Sequence, residues 1–211
     1  MAQEAQSADR AGRWESIYAQ RPVERLSWYQ PSPLASLHLI EALGLPLDAA
    51  IIDVGGGAST LVDHLIERRH SDLAVLDISA AALQAARNRV GDLGTVMWIH
   101  EDVLTWRPTR RYALWHDRAV FHFLVEATER TAYLDTLGRA LAPAGAVVIG
   151  TFATDGSPEC SGLPVTRYDP GGLGSALGSG FEVVETLREQ HTTPAGSIQP
   201  FTWVAARRIP D

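Results

Sequence analysis

The stretch Ala50-Ile51-Ile52-Asp53-Val54-Gly55-Gly56-Gly57-Ala58-Ser59 decides the fold. A short apolar run rich in β-branched residues, stopped by three consecutive glycines, reads as a buried strand entering a tight turn. Ser59 or Thr60 then caps a helix through about Arg69, with Leu61, Val62, Leu65 and Ile66 on one face. Upstream, Leu34–Leu45 has helical spacing and ends at Gly44 and Pro46. Downstream the unit repeats: strand Leu73–Leu76, helix Ala80–Val90 opened by Ser79, and strands Val96–Ile99 and Tyr112–Trp115. Helix Glu129–Leu141 and strand Ala146–Phe152 follow. Strands alternating with helices predict a parallel sheet covered on both faces. The end of the chain differs. A short helix at Gly172–Leu177 precedes strands Phe181–Leu187 and Phe201–Arg207, whose Pro- and Gly-containing connection leaves no room for a helix. These two predict an antiparallel hairpin at a sheet edge. The expected fold class is therefore α/β: a doubly wound, mostly parallel seven-stranded sheet with a C-terminal antiparallel hairpin. Residues 1–211 form a single domain in which 1–33 make an N-terminal arm, frayed over Met1–Arg10.

Composition narrows the chemistry. The 211 residues are 45% apolar and 20% charged, enough for one buried core. A net charge of −7 and a pI near 5.5 speak against a nucleic-acid partner or an anionic membrane. All 18 basic residues are arginine. Without lysine there is no PLP Schiff base, no lysine aldolase and no Walker-type phosphate loop. The lone Cys160 allows neither an intrachain disulfide nor a cysteine-rich zinc site, and the seven histidines show no ligand spacing, so no metal is expected. Gly-x-Ser-x-Gly is absent. Met1–Gly12 lacks the pattern of a secretory signal. Leu141–Thr154, an uncharged and largely apolar stretch, is interrupted by Pro143, Gly145 and Gly150 and falls short of the about 20 apolar residues a membrane span needs. A cytoplasmic location is expected.

In an open parallel sheet, ligands bind beyond the carboxyl ends of the strands, where strand order reverses. The glycine run at the end of the first strand is by itself also compatible with a plain turn. The dinucleotide pattern G-x-G-x-x-G is incomplete, because Thr60 holds its third glycine position, which disfavours NAD or FAD. Asp77 ends the second strand and can accept hydrogen bonds from both hydroxyls of a ribose. Glu101-Asp102 ends the third, where a carboxylate can accept from an adenine amine. Each acid alone is an ordinary cap or turn residue. One acid per strand end suits an adenosine without phosphates.

The order Ile51-Ile52-Asp53-Val54-Gly55-Gly56-Gly57, Val75-Leu76-Asp77-Ile78-Ser79 and Glu101-Asp102-Val103 resembles the class I S-adenosylmethionine-dependent methyltransferases, over roughly residues 14–207. The final hairpin fits their reversed seventh strand. The resemblance implies S-adenosylmethionine as cofactor. Gly55 and Gly57 would face its methionine part, Asp77 with Ile78 the ribose, and Asp102 with Val103 the adenine. Asp53 would support the loop through water or the amino group, and Trp28 would close over the cofactor from the arm. Gly56 departs from the family, which usually has a cysteine or an acid there.

Trp115-His116-Asp117-Arg118-Ala119-Val120-Phe121-His122-Phe123-Leu124 follows the fourth strand, beside the first. Its Trp-x-Asp-Arg spacing, with Arg130 and Tyr133, resembles the thiopurine-type small-molecule methyltransferases, with His116 as a departure. An ion pair of Asp117 with Arg118, packing of Phe121 and Phe123, and a satisfied buried His122 are the ordinary readings. The functional readings give His122 as general base with His116 second, Asp117 in the catalytic group, Arg118 binding an anionic acceptor, and Tyr29, Phe121 and Cys160 beside the substrate. Ser27–Gln30, preceded by Trp14 and Tyr18, resembles the N-terminal cover of several methyltransferase branches; Gly156–Pro164 reads as a lid, and His191–Pro194 as a turn. The expected reaction is in-line methyl transfer to a small-molecule S, N or O nucleophile. A protein substrate and a non-catalytic adenosine-binding module are the alternatives. An NAD oxidoreductase with a Tyr-x-x-x-Lys pair is excluded by the missing lysine.

Overall fold

The computed structural model describes residues 2–93 and 95–210, with side chains described from Ser7 onward. Two helices, α1 (Ala2–Gln20) and α2 (Leu34–Ala42), precede β1 (Ile51–Val54), α3 (Leu61–Glu67), β2 (Leu73–Asp77), α4 (Ala80–Val90) and β3 (Val96–His100). Then come β4 (Tyr112–Arg118), α5 (Ala127–Ala140), β5 (Leu141–Phe152), a small ribbon of β6 (Glu159–Cys160) and β7 (Leu163–Pro164), α6 (Pro170–Leu177), β8 (Phe181–Thr192) and β9 (Ile198–Arg208). The seven-stranded sheet has the order β3-β2-β1-β4-β5-β9-β8. Its first five strands run parallel, and β9 is antiparallel to both β5 and β8. From β1 the chain winds outward through β2 and β3, then returns to place β4 on the other side of β1. This reversal is the topological switch point, and the space beyond the carboxyl ends of β1 and β4 is where such a sheet binds ligands.

Local signals account for most boundaries. Ser79 caps α4 by accepting from the Ala82 amide, Glu126 and Glu129 close a capping box on α5, and Asp169 caps α6 with Pro170 at its first position. The α3 entry departs from expectation. Thr60 makes no side-chain cap, and its hydroxyl donates to the Gln30 carbonyl at 2.9 Å, while Ser59 Oγ accepts from the Leu61 amide.

The fourth strand continues past Trp115 to Arg118 because His116 and Asp117, though polar, are buried and paired with β1 and β5. Residues 191 and 192, expected in a turn, belong to β8. The expectation of a frayed Met1–Arg10 is corrected for Ala2–Arg10, Met1 lying outside the described residues: the chain is helical from Ala2, and from Ser7 onward polar side chains tie the helix to the body. Arg10 pairs with Asp102 at 2.9 Å and Glu129 at 2.8 Å, and Glu15 accepts from Ser79 Oγ at 2.7 Å and from the Ala81 amide.

Alternation along each strand divides the core into two layers. Ile51, Leu114, Val148 and Trp203 face α2, α3 and α4 on one side. Ile52, Val54, Trp115, Val147 and Ile149 face α5 and α6 on the other. Asp117 belongs to this second layer. Its carboxylate accepts from Tyr133 Oη at 2.5 Å and from the amides of Val120 and Phe121 at 2.8 and 3.1 Å, and Trp115 Nε1 donates to Tyr133 Oη at 2.8 Å. Burial pushes the Asp117 carboxyl up to about 6. The network fixes the turn after β4. Tyr133→Phe should cost about 1–3 kcal/mol of urea-unfolding stability, because it leaves the buried Trp115 N–H without an acceptor and takes from Asp117 one of its three donors. An unchanged midpoint and slope would show that the network carries no stability.

Candidate active site

Beyond the switch point lies a cleft enclosing about 890 Å³ of empty space, its open mouth included. Its floor is the ends of β1, β2 and β3 with the turns that follow: Val54 and Gly55, Leu76 to Ile78, and Glu101 to Leu104. Ala119, Val120, Phe123 and Leu124 form the wall after β4, and Arg10, Trp14, Tyr18, Trp28 and Cys160 come over the top. A second, smaller hollow continues from it under the arm. It is lined by Ser36, Asp53, Gly56, His116 and Tyr29, and shares Tyr18, Trp28, Gly55 and Arg118 with the first.

The glycine turn is shaped by what surrounds it. Gly55 and Gly57 have φ of +66° and +41°, a region that side chains strain to enter. A Cβ on Gly55 would lie 2.0 Å from Val120, and one on Gly57 would lie 2.7 Å from Asp77 Oδ2. The backbone can therefore pass close to both strand ends and leave the cleft open. Asp77 is buried, with Oδ1 accepting from the Ser79 amide at 2.8 Å. Burial, reinforced by nearby Asp53, pushes its carboxyl up to about 7. Asp102 differs. Its Oδ1 accepts from the Leu104 amide, while Oδ2 is already taken by Ser7 Oγ at 2.6 Å and Arg10 Nη2 at 2.9 Å. Burial raises its carboxyl, but the bonds from Ser7, Leu104 and Arg10 outweigh that and leave it below the usual carboxylate range.

Arg118 stands at the junction of the two hollows, half-buried, with its Nε and Nη2 shielded from solvent. Nη1 donates to the Trp28 carbonyl at 2.9 Å and the guanidinium lies 4.6 Å over the Phe201 ring. Nε and Nη2 have no hydrogen-bond partner among the described residues. Burial pulls its pKa down, opposed by the negative charge of Glu189. His122 is buried behind this wall and does not line the cleft. Nδ1 accepts from the Phe152 amide at 3.4 Å, Nε2 has no partner among the described residues, and burial with the Arg118 charge pushes the imidazole down to about 3. Such a ring stays neutral and is a poor proton acceptor near pH 7. Phe121 packs against Tyr133 and Tyr168 in the second core layer, away from the cleft, and Asp117 is spent on the turn after β4. The Asp117–Arg118 pair does not form, because successive residues of a strand point to opposite faces.

Cys160 reaches the cleft from the β6–β7 ribbon, which Arg13 ties to α1 through the Ser161 carbonyl. Burial pushes its thiol up.

Residues 51–145 match the methyltransferase-domain family. Thiocyanate methyltransferase 1 of Arabidopsis thaliana is 31% identical over 189 residues, spanning 87% of this chain and 79% of that protein. The chain is an S-adenosylmethionine-dependent methyltransferase. The fold is shared with the N-methyltransferase NodS of Bradyrhizobium japonicum WM9, solved with S-adenosyl-L-homocysteine: TM-score 0.63, 18% identity, 85% of this chain and 89% of that one. It is shared too with 1,6-didemethyltoxoflavin-N1-methyltransferase of Burkholderia thailandensis: TM-score 0.66, 18% identity, 97% and 86%. The cleft fits the cofactor: glycines where side chains would close it, and a buried carboxylate, Asp77, with one oxygen at the glycine turn.

The contribution of α1 to this methyltransferase's cleft was not visible in the sequence. Ser7, Arg10 and Glu15 look like solvated helix charges, and only the Trp14–Tyr18 spacing hints at a buried stripe. Ser36, Val120 and Leu124 carried no signal either. Arg10→Ala removes two of the ties that hold α1 down, and amide hydrogen exchange over Ser7–Gln20 should rise several-fold while exchange in β1 and β4 stays unchanged. Equal exchange in variant and parent would show that the aromatic contacts alone hold the helix.

Proposed function

We propose that this enzyme methylates a small anionic acceptor held by Arg118, in the manner of the thiopurine-type enzymes that Trp115-His116-Asp117-Arg118 resembles. One observation carries the reading: at the junction of the two hollows, the Nε and Nη2 of a half-buried Arg118 are shielded from solvent and have no hydrogen-bond partner among the described residues. Buried polar groups in folded proteins are almost always satisfied, and buried charges need a partner. A planar anion or a single soft anion would meet that need. The similarity to an enzyme named for thiocyanate agrees with it. So does the state of His122, which offers no base for deprotonating a neutral acceptor. Trp14, Trp28 and Phe123 form an apolar cover, packed edge to face at 5.7 and 5.3 Å, and with the ribbon of Cys160 they leave little room for a folded protein substrate.

When bound, S-adenosylmethionine supplies a methyl group on a sulfonium, which leaves without protonation. The protein's work is to hold and to exclude. Asp77 with Ile78 would hold the ribose hydroxyls, Val103 and Asp102 the adenine, Gly55 and Gly57 the amino-acid end with Asp53, and Trp28 would cover them. Because Asp102 Oδ2 already serves Ser7 and Arg10, an adenine amine there must share or displace those donors. Arg118 would fix the nucleophile within the about 3–3.5 Å needed for in-line attack, in a cleft that Phe123 and Leu124 keep dry. Tyr29 and Cys160 would line the acceptor's approach.

Two measurements test this. Ribose hydroxyls donate to a carboxylate, so binding favours ionised Asp77, whose free-state pKa is about 7. Calorimetric affinity for S-adenosylhomocysteine should then tighten about tenfold from pH 6 to 8, with proton release, and Asp77→Asn should flatten the profile. A flat parent profile would remove Asp77 from the ribose. For the acceptor, initial rates with thiocyanate, hydrosulfide and small thiolates should exceed those with neutral amines and alcohols. Arg118→Met should raise the acceptor KM about tenfold or more, with a clearly smaller loss of S-adenosylhomocysteine affinity from the freed Trp28 carbonyl. Turnover of neutral acceptors alone would overturn the reading, as would an equal loss of S-adenosylhomocysteine affinity, which would give Arg118 to the cofactor.

A further inference from the structure

Asp53, His116 and Ser36 form a chain of hydrogen bonds inside the protein. His116 Nδ1 lies 2.7 Å from Asp53 Oδ1, and His116 Nε2 lies 2.9 Å from Ser36 Oγ. The three residues are 4%, 2% and 1% exposed. A carboxylate accepts, so Nδ1 carries the hydrogen toward Asp53, and Nε2 is paired with the Ser36 hydroxyl. Both ring nitrogens are thus engaged, and neither has a free lone pair for a substrate proton. The base role considered for His116 has no place in this geometry.

What the chain does is fix the Asp53 carboxylate. Asp53 and His116 are register partners on adjacent parallel strands, so their side chains leave the same face of the sheet. Trp203 backs the imidazole, with ring centroids 6.0 Å apart. With Oδ1 tied to His116, Oδ2 is turned to the glycine turn, where a Cβ on Gly56 would sit 2.5 Å from it. Asp53 and Gly56 both line the smaller hollow that opens from the cofactor cleft. The glycine at 56, the family's unusual residue, keeps this oxygen uncovered. Ser36 lies in the first turn of α2, directly after the arm that roofs the same hollow.

We infer that His116 is a positioning residue which aims Asp53 Oδ2 at the α-ammonium of the cofactor's amino-acid end, and that Ser36 ties this aim to the seating of α2. The inference rests on placing Asp53 at that end of the cofactor and is independent of the acceptor. It gives the buried histidine a role that needs no proton transfer. It also explains why a polar pair is kept in the middle of a parallel sheet, where apolar residues of the same volume would pack without a desolvation cost.

Calorimetry with two ligands tests it: S-adenosylhomocysteine, and 5′-methylthioadenosine, which has the adenosine and sulfur but no amino-acid end. The parent should prefer the first. His116→Leu and Asp53→Asn should each weaken S-adenosylhomocysteine about tenfold while leaving 5′-methylthioadenosine unchanged. His116→Asn, whose amide N–H takes the place of Nδ1–H, should restore most of the preference. Ser36→Ala, which keeps the Asp53–His116 bond, should give a smaller loss in the same direction and serves if His116→Leu does not fold. Equal weakening of both ligands would make His116 merely structural and overturn the inference. Loss of preference in Asp53→Asn with none in either His116→Leu or Ser36→Ala would overturn it while leaving Asp53 where it is. An intact preference in Asp53→Asn would move Asp53 away from the amino-acid end and remove the inference with it.

Discussion

The bond between His116 and Asp53 closes the seam at which the sheet changes direction. Parallel strands in a doubly wound sheet are buried on both faces and are normally apolar throughout. Here a carboxylate and an imidazole sit opposite each other in the register of β1 and β4, where the strands diverge toward separate crossovers. Their burial is tolerable because each satisfies the other, and because Ser36 and the Trp203 ring complete the imidazole's surroundings. With this pair seated, α2 has a fixed height above the sheet and the glycine turn a fixed direction. The cleft opens where both require it.

The roof depends on the same economy of backbone partners. The arm between α1 and α2 has no regular ladder, yet its carbonyls are met one after another by side chains of the body. Ser27 accepts from His191, Trp28 from Arg118 and Gln30 from Thr60, at 2.7, 2.9 and 2.9 Å, and Pro31 takes His64 at 3.1 Å. Backbone groups near a core must find partners somewhere, and here they find them in the residues that surround the site. The Nη1 of Arg118 thus fixes the arm, while its Nε and Nη2 have no hydrogen-bond partner among the described residues.

Elements were legible where pattern and punctuation agree. The β1 run with its three glycines, Ser79 before α4, and the helix-free hairpin at the end are local statements, and the structure repeats them. The ends of strands were less legible, because β4 continues through His116 and Asp117, whose burial is set by β1 and β5 and by Tyr133 from α5. The cleft's floor could be read from one acid per strand end. Its roof could not: Ser7, Arg10 and Glu15 meet partners 64 to 119 residues away. Among the clustered residues of Trp115–Leu124, composition suggested one catalytic group, but strand alternation sends His116 and Arg118 to one face and Asp117 to the other. The turn then carries Phe121 and His122 into the core and Phe123 to the cleft. Spacing in sequence cannot distribute these residues without the register.

That distribution divides the cleft electrically. Asp53, Asp77 and Asp102 stand at the ends of β1, β2 and β3, and Arg118 at the end of β4, so the switch point is also the line between a negative and a positive half. Burial raises the Asp77 carboxyl and lowers the Arg118 pKa, so an opposite charge beside either one favours its ionised form. A cation such as a sulfonium with its ammonium is favoured on the side of the three acids, and an anion on the side of the arginine. Two ligands that answer those fields meet at the line between them, with the low dielectric of Trp14, Trp28 and Phe123 strengthening the attraction. A sheet that reverses its order at one seam, with acids on one side and Arg118 on the other, would bring a cationic methyl donor and the anionic acceptor proposed above together without needing a proton to move.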